Sequence, residues 1–295
     1  MTQASPAQAT GVRGHVLVIA GSDSGGGAGI QGDIKTITAL GGYASTAITA
    51  LTAQNTLGVQ AVMPVPLDFI AQQIAVVQSD MPVDAIKMGM LHSAEVIERV
   101  AAELDNGAKV PLIIDPVMRA KGGAPLIEPD AVGRLRDLLV PRAQLLTPNI
   151  PEAEALVGRS IADIDQALRA AEALVGLGAE QVLVKSGHLP GAMLQDWLVD
   201  KEGARALGAP RPRIETAQTH GTGCALASAA ATGVAQGLSL FDATRRAVSF
   251  VDAAIRHAPG LGAGHGPLGH GFGFSMPNET SDEIPNKISD EMRDR

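Results

Sequence analysis

Residues 219–224 read THGTGC and run straight into CALASAAATGVAQGL, a small-residue stretch of helical length. Glycines just ahead of a helix leave backbone N–H groups aimed at one point, and the helix dipole adds positive potential there, which makes an anion site. A phosphoryl group in transfer gathers negative charge, so Gly221, Thr222, Gly223 and Cys224 are candidates for stabilising it. A helix N-terminus lowers a thiol pKa from its ordinary value of about 8.5. Cys224 could then act as a general base or hold a reacting hydroxyl. The plain alternative is a small buried residue that packs well.

A second glycine cluster, GSDSGGGAGIQGD, occupies residues 21–33. Gly27, Gly29 and Gly32 match the spacing of a dinucleotide fingerprint, but the preceding strand is expected to end near Ala20. Between Asp33 and Asp68 there is no acid to hold a ribose. Gly21 and Gly26 have Walker A spacing, yet Gly27 and Ala28 stand where Lys and Ser/Thr are required. What is left is a glycine turn after a strand, capped by Asp23 or Ser24. It lies on the strand-end edge where open parallel sheets bind ligands, and Asp23 could accept hydrogen bonds from an amine or hydroxyl there.

Three further positions could carry chemistry. In LTPNIPEAEAL, Asn149 and Glu152 are three apart, spanning a strand end and a helix that Pro151 begins. Both offer oxygen, which suits Mg²⁺, although Glu152 could equally complement the helix dipole. Asp115 in IIDPVM and Lys185 in LVKSGH are expected at two more strand ends. The histidines have no metal spacing, and no G-x-S-x-G motif supports a serine hydrolase.

Placing such residues on one edge requires alternating elements, and the sequence supplies them. Short apolar runs (HVLVIAG, YASTAITAL, VQAVMPV, AIKMG, PLIIDP, AQLLTPN, QVLVKSG) alternate with amphipathic stretches, and AMLQDWLVD reads as an outer strand. The pattern predicts an α/β fold with a mainly parallel sheet covered on both faces. The expected organisation is a loose arm over residues 1–13, one domain over 14–272, and a polar, disordered tail over 273–295.

Composition narrows the partners. The 295 residues carry 31 acids against 23 bases, net charge −8, with no basic run, which argues against nucleic acid. No window is long and apolar enough for a membrane span, and the first residues lack a signal-peptide core. The lone cysteine excludes an internal disulfide and fits a reducing, cytoplasmic setting.

In order, AGSDSGGGAGIQGDIKT, AITALTAQNTLGV, IKMGML, DPVM, LTPNIPEAEAL, VLVKSGHL and HGTGC resemble the hydroxymethylpyrimidine/phosphomethylpyrimidine kinase family of thiamin biosynthesis, over roughly residues 15–270. The resemblance implies a single-domain ribokinase-like fold. It also implies two successive ATP- and Mg²⁺-dependent phosphorylations of a small aminopyrimidine, by a homodimer. It would place Gly21, Asp23, Gln54, Met90 and Val117 on the pyrimidine, with the Gln54 carboxamide matching its donors and acceptors. It would put the anion hole at Gly221, Thr222, Gly223 and Cys224, and Lys185, Gly187, Thr219 and Asn149 on the nucleotide side. Glu152 and Asp115 would serve the metal. The glycines at 25–27 would then close around the ring, and the phosphates would go to the later loop. Gly32, Ser186 and Arg119 depart from the pattern, and Arg119 near the phosphate path would favour the phosphorylated second substrate. A pyridoxal kinase, and a non-catalytic sensor of the pyrimidine phosphate, remain as alternatives.

Overall fold

The computed structural model describes residues 13–107 and 109–273; the expected arm and tail lie outside them except for Arg13 and Gly273. The first half runs β1 (His15–Asp23), α1 (Gly29–Ala39), β2 (Tyr43–Asn55), β3 (Gly58–Pro64), α2 (Leu67–Asp80), β4 (Ala85–Met88), α3 (Ala94–Asn106) and β5 (Leu112–Ile114). It continues with α4 (Ala131–Leu138), β6 (Leu145–Leu146), α5 (Ile150–Val157), α6 (Ile164–Gly176), β7 (Gln181–Val184), β8 (Met193–Leu194) and β9 (Trp197–Asp200). The last elements are β10 (Gly203–Ala206), β11 (Arg211–Pro212), α7 (Thr222–Ala235) and α8 (Leu240–Arg256).

Nine strands form one sheet in the order β10-β9-β7-β6-β5-β4-β1-β2-β3. The six strands from β7 to β2 are parallel, and the antiparallel strands sit at the two edges. Alternation along β1 divides the core: Leu17 and Ile19 pack with the faces of α2 to α6, while Val16, Val18 and Ala20 pack under α1, α7 and α8. The alanine-rich α7 is buried along its length because small side chains let α8 approach; a Cβ on Gly233 would lie 2.7 Å from the Ala243 Cβ.

The chain order reverses between β1 and β4, whose neighbours lead to opposite sides of the sheet, and the crevice beyond their carboxyl ends is where such sheets bind ligands. Two expectations are corrected here. β1 does not end near Ala20 but continues to Asp23, carried past a register shift between Ala20 and Ser22 by pairing with Leu51 and Thr52. AMLQDWLVD is not one strand: Asp196 turns its side chain inward to the Ser186 amide and to Arg211, which separates β8 from β9. β8 then pairs with β11 in a small separate sheet.

Candidate active site

The two glycine clusters, almost 200 residues apart in sequence, form one wall. Gly221 has φ +82° and lies against the Gly27 carbonyl so closely that a Cβ there would collide with it. A Cβ on Gly27 would in turn lie 2.5 Å from the His220 ring and 3.1 Å from Pro267. Gly27 is therefore glycine because the other loop packs on it, a contact that the reading of residues 25–27 as backbone closing around a ring did not include.

Asp23 joins the loops. One carboxylate oxygen accepts the Gly25 amide at 2.8 Å; the other accepts those of Gly27 (3.1 Å) and Ala28 (2.9 Å) and Nε2 of His220 (2.8 Å). Burial alone would raise its pKa. The hydrogen bonds from His220, Ala28 and Gly25 outweigh burial and hold it below the ordinary carboxylate value. Both Asp23 oxygens are thus engaged by protein donors. The Gln54 amide, at the end of β2, lies 3.3 Å from the same His220 nitrogen.

Beside this junction, Met90, Ala50 and Leu126 form a small apolar cluster with Val117 packed on it. Gly21 leaves room for it, since a Cβ there would meet the Met90 sulfur at 2.6 Å.

The α7 N-terminus carries no side-chain cap; the Thr222 amide makes only a long 3.4 Å bond to the Thr219 carbonyl, and residues 221–224 all line the cleft. Cys224 lies in this first turn. The expectation of an acidified thiol is corrected: burial pushes Cys224 up to about 12, with Lys87 opposing and the carboxylates of Asp33 and Asp115 adding to the rise. Burial and two anions outweigh a helix terminus there.

Asp115 follows β5, and its carboxylate faces Gly223, where a Cβ would sit 3.2 Å from it. Thr147 lies 3.3 Å from Asp115 Oδ1, and the Lys185 ammonium is 3.9 Å away, donating to the Thr147 carbonyl at 2.7 Å. Asn149 and Glu152 form a reciprocal capping box at the start of α5, with bonds of 2.9 and 2.8 Å. Burial, and then Asp115, raise Glu152 to about 7. Replacing Asn149 with alanine is expected to cost about 1 kcal/mol of stability, read as a lower urea midpoint. A midpoint equal to wild type would show that the box contributes nothing.

Every residue given a catalytic, pyrimidine, nucleotide or metal role in the sequence lines a single cleft of about 1210 Å³, whereas Gly25, Gly26 and Gly27 do not. Thr219 sits ahead of the α7 loop, and Gly187 lies in the turn after β7, where a Cβ would meet nothing within 4 Å. Asp115 and Glu152 offer a pair of hard oxygen donors. Among the described residues no group of three or more His, Cys, Asp or Glu gathers as a metal site. Two carboxylates on the cleft wall fit Mg²⁺, which takes one or two carboxylates and completes its shell with water and phosphate.

The cleft also contains groups that sequence reasoning missed. Lys121 and Arg213 add positive charge near Lys185, while Arg211 also lines the cleft but is paired with Asp196 and Asp252. Burial, then Lys185, Lys121 and Arg213, hold His188 down at about 4. Leu226, Val248, Val251 and Ile255 form an apolar side of the cleft. The signal for the last three was legible, since 248, 251 and 255 share one face of α8 by helical spacing.

A family model described as phosphomethylpyrimidine kinase matches residues 23–269. The hydroxymethylpyrimidine/phosphomethylpyrimidine kinase of Bacillus subtilis is 47% identical over 259 residues, covering 88% of this chain and 94% of its own. A thiamine biosynthesis bifunctional protein of Geobacter sulfurreducens is 53% identical over 258 residues, 88% of this chain, which spans about half (52%) of that longer protein. Among solved structures, an ADP complex of Bacillus subtilis pyridoxal kinase has a TM-score of 0.81 at 35% identity, covering 88% of this chain and 97% of its own. A phosphomethylpyrimidine kinase of Clostridium difficile has a TM-score of 0.72 at 39% identity, covering 82% of this chain and 100% of its own.

Proposed function

Because the chain belongs to the phosphomethylpyrimidine kinase family, we propose that it transfers the γ-phosphoryl group of ATP to 4-amino-5-hydroxymethyl-2-methylpyrimidine and then to the resulting monophosphate, making the diphosphate for thiamine biosynthesis. The observation that carries this reading is the packing of Gly221 on Gly27. It sets the pyrimidine-side residues and the α7 N-terminus on one cleft.

In this reading Met90 and Val117 cover the faces of the ring, Gly21 makes room for Met90, and the Gln54 carboxamide reads the ring's edge. Asp23 acts through the backbone: it holds the amides of residues 25, 27 and 28 and orients His220. The amides of Gly221, Thr222, Gly223 and Cys224 face the phosphoryl group in transfer, where preorganised donors favour the transition state. In the transfer, a bond forms between the acceptor oxygen and the γ-phosphorus, the bond from that phosphorus to the ADP oxygen breaks, and the proton of the first acceptor's hydroxyl passes to solvent as the new ester forms. Such a step needs positioning and charge stabilisation more than early proton removal. A thiol held neutral matches that need by hydrogen-bonding the acceptor oxygen, the second of the two roles open to Cys224.

Lys185, Gly187, Thr219 and Asn149 lie on the nucleotide side, and Val248, Val251 and Ile255 offer a flat base an apolar surface. Asp115 and Glu152 would hold Mg²⁺, which would neutralise charge on the phosphates. The lone thiol suits a reducing cytoplasm, and a homodimer is carried as a family expectation.

A second reading, pyridoxal kinase, is favoured by the likeness to solved pyridoxal kinases. ADP release from Mg-ATP, with hydroxymethylpyrimidine, its monophosphate and pyridoxal offered separately at equal concentration, discriminates them. Turnover of both pyrimidines with little on pyridoxal is expected. A preference for pyridoxal would move the assignment to vitamin B6 salvage. Tight binding of the monophosphate without turnover of any would favour a sensor.

Arg119 bears on the ratio of the two steps. It is exposed on the turn over residues 119–125 and donates to the Gly123 carbonyl at 3.1 Å. Arg119→Ala is expected to lower the second phosphorylation relative to the first by about threefold to tenfold, through loss of a phosphate-facing cation. An unchanged ratio would remove Arg119 from substrate selection.

A further inference from the structure

Among the described residues, one charged pair is fully buried and has no part in the roles assigned above. Lys87, in the middle of apolar β4, donates to both carboxylate oxygens of Asp33 on α1, at 2.9 and 2.8 Å, and both side chains are 0% exposed. Ser228 of α7 donates to the same carboxylate at 2.7 Å. Three bonds from two elements converge on one acid carried by a third.

Their placement relative to the cleft gives this cluster its interest. Asp33 lies one turn into α1, the helix that the first glycine loop feeds. Ser228 lies one turn beyond Cys224, and residues four apart share a face of a helix. Lys87 borders the cleft beside Gly89, where a Cβ would be 3.0 Å from its ammonium. Its charge is felt by Cys224, and that of Asp33 likewise. The three residues therefore tie β4 to α1 and α7, the two helices that follow the two glycine loops.

For stability alone, an ion pair is a poor choice here. Well-packed apolar residues of similar volume commonly serve as well or better, because two charges must be stripped of water. Directional bonds do what apolar packing does not: they fix how far α7 sits along α1. We propose that Lys87, with Asp33 and Ser228, is a positioning unit for phosphoryl transfer, setting the register of the α7 N-terminus against the first glycine loop. This rests on the kinase reading given above.

Two variants test it. Lys87→Met/Asp33→Leu removes both charges at nearly constant volume, and Ser228→Ala removes one bond while leaving the pair intact. The double variant is expected to melt within a few degrees of wild type yet lose about 10²-fold in kcat with KM for ATP little changed, as a small misplacement of reacting groups does. Ser228→Ala is expected to fold normally and lose about threefold to tenfold in kcat, again with KM held. A merely structural cluster would instead lower the melting temperature and leave kcat and KM of the folded fraction at wild-type values; that result in either variant overturns the proposal. Should the double variant not fold, Ser228→Ala decides alone. Wild-type turnover on the pyrimidine is measured first. If it is missing, the kinase reading fails, and the register is read instead from iodoacetamide labelling of Cys224, expected to be severalfold faster in Ser228→Ala and overturned by an equal rate.

Discussion

Replacing Gly221 with alanine is expected to lower kcat for both phosphorylations by about 10²–10³-fold, the size of a lost oxyanion-type donor. Two effects combine. The residue has φ +82°, a conformation that costs an L-residue with a Cβ roughly 1–2 kcal/mol. The new methyl would also be driven into the Gly27 carbonyl and would stand 3.2 Å from the Ala28 Cα. Neither backbone can yield without parting the loops, so the amides of residues 221–224 would be displaced from the phosphoryl position. Gly133→Ala, on α4 with nothing within 4 Å of its added methyl, is the matched control and is expected to leave turnover unchanged. Wild-type turnover in Gly221→Ala would mean that the contact between the loops does not set the site.

Cys224→Ala should lower kcat by about 10²-fold, the low end for loss of one preorganised hydrogen bond to a reacting oxygen. Its pH behaviour is the sharper readout. The folded thiol, pushed up to about 12, is neutral across pH 7–9. Iodoacetamide labelling of the native enzyme should therefore be slow and climb about tenfold per pH unit through pH 10 with no plateau, because the thiolate is the reactive form. A plateau near pH 8 would contradict the assigned environment. The linkage has a definite sign. A pKa raised on folding gives stability that is fully present below the unfolded value near pH 9 and lost as pH rises from there toward 12. Between pH 9 and 10.5 the urea midpoint of wild type should fall more steeply than that of Cys224→Ala.

Much of the site could be read from the sequence because function in a parallel sheet collects at one edge. Asp23, Met90, Asp115, Asn149 and Lys185 each stand at or just beyond the carboxyl end of a strand whose apolar run was visible. The motifs around them supplied the order, and helical periodicity supplied the covering layers. What escaped was contact between distant segments. Nothing local to Gly27 shows that it is crowded by His220, so its glycine was attributed to a ligand. Asp23 looked free to meet an amine, whereas the loop's own amides take its oxygens. Lys87 sits in a four-residue strand that is buried throughout, and only the arrival of Asp33 from α1 explains a charge there. The acidity of Cys224 was misjudged for the same reason: the helix terminus is local and legible, while Asp33 and Asp115 reach it through the fold. The extension of β1 to Asp23 and the break at Asp196 likewise depend on partner strands and side chains far along the chain.

If one cleft phosphorylates the pyrimidine twice, the monophosphate must be both product and substrate. A time course of the products by mass spectrometry, starting from hydroxymethylpyrimidine, Mg-ATP and purified protein, reads this. The monophosphate is expected to rise first and then decline as the diphosphate accumulates, with both steps falling together in Gly221→Ala. A monophosphate that accumulates without ever yielding diphosphate, or a Gly221→Ala enzyme that loses one step and keeps the other, would contradict it.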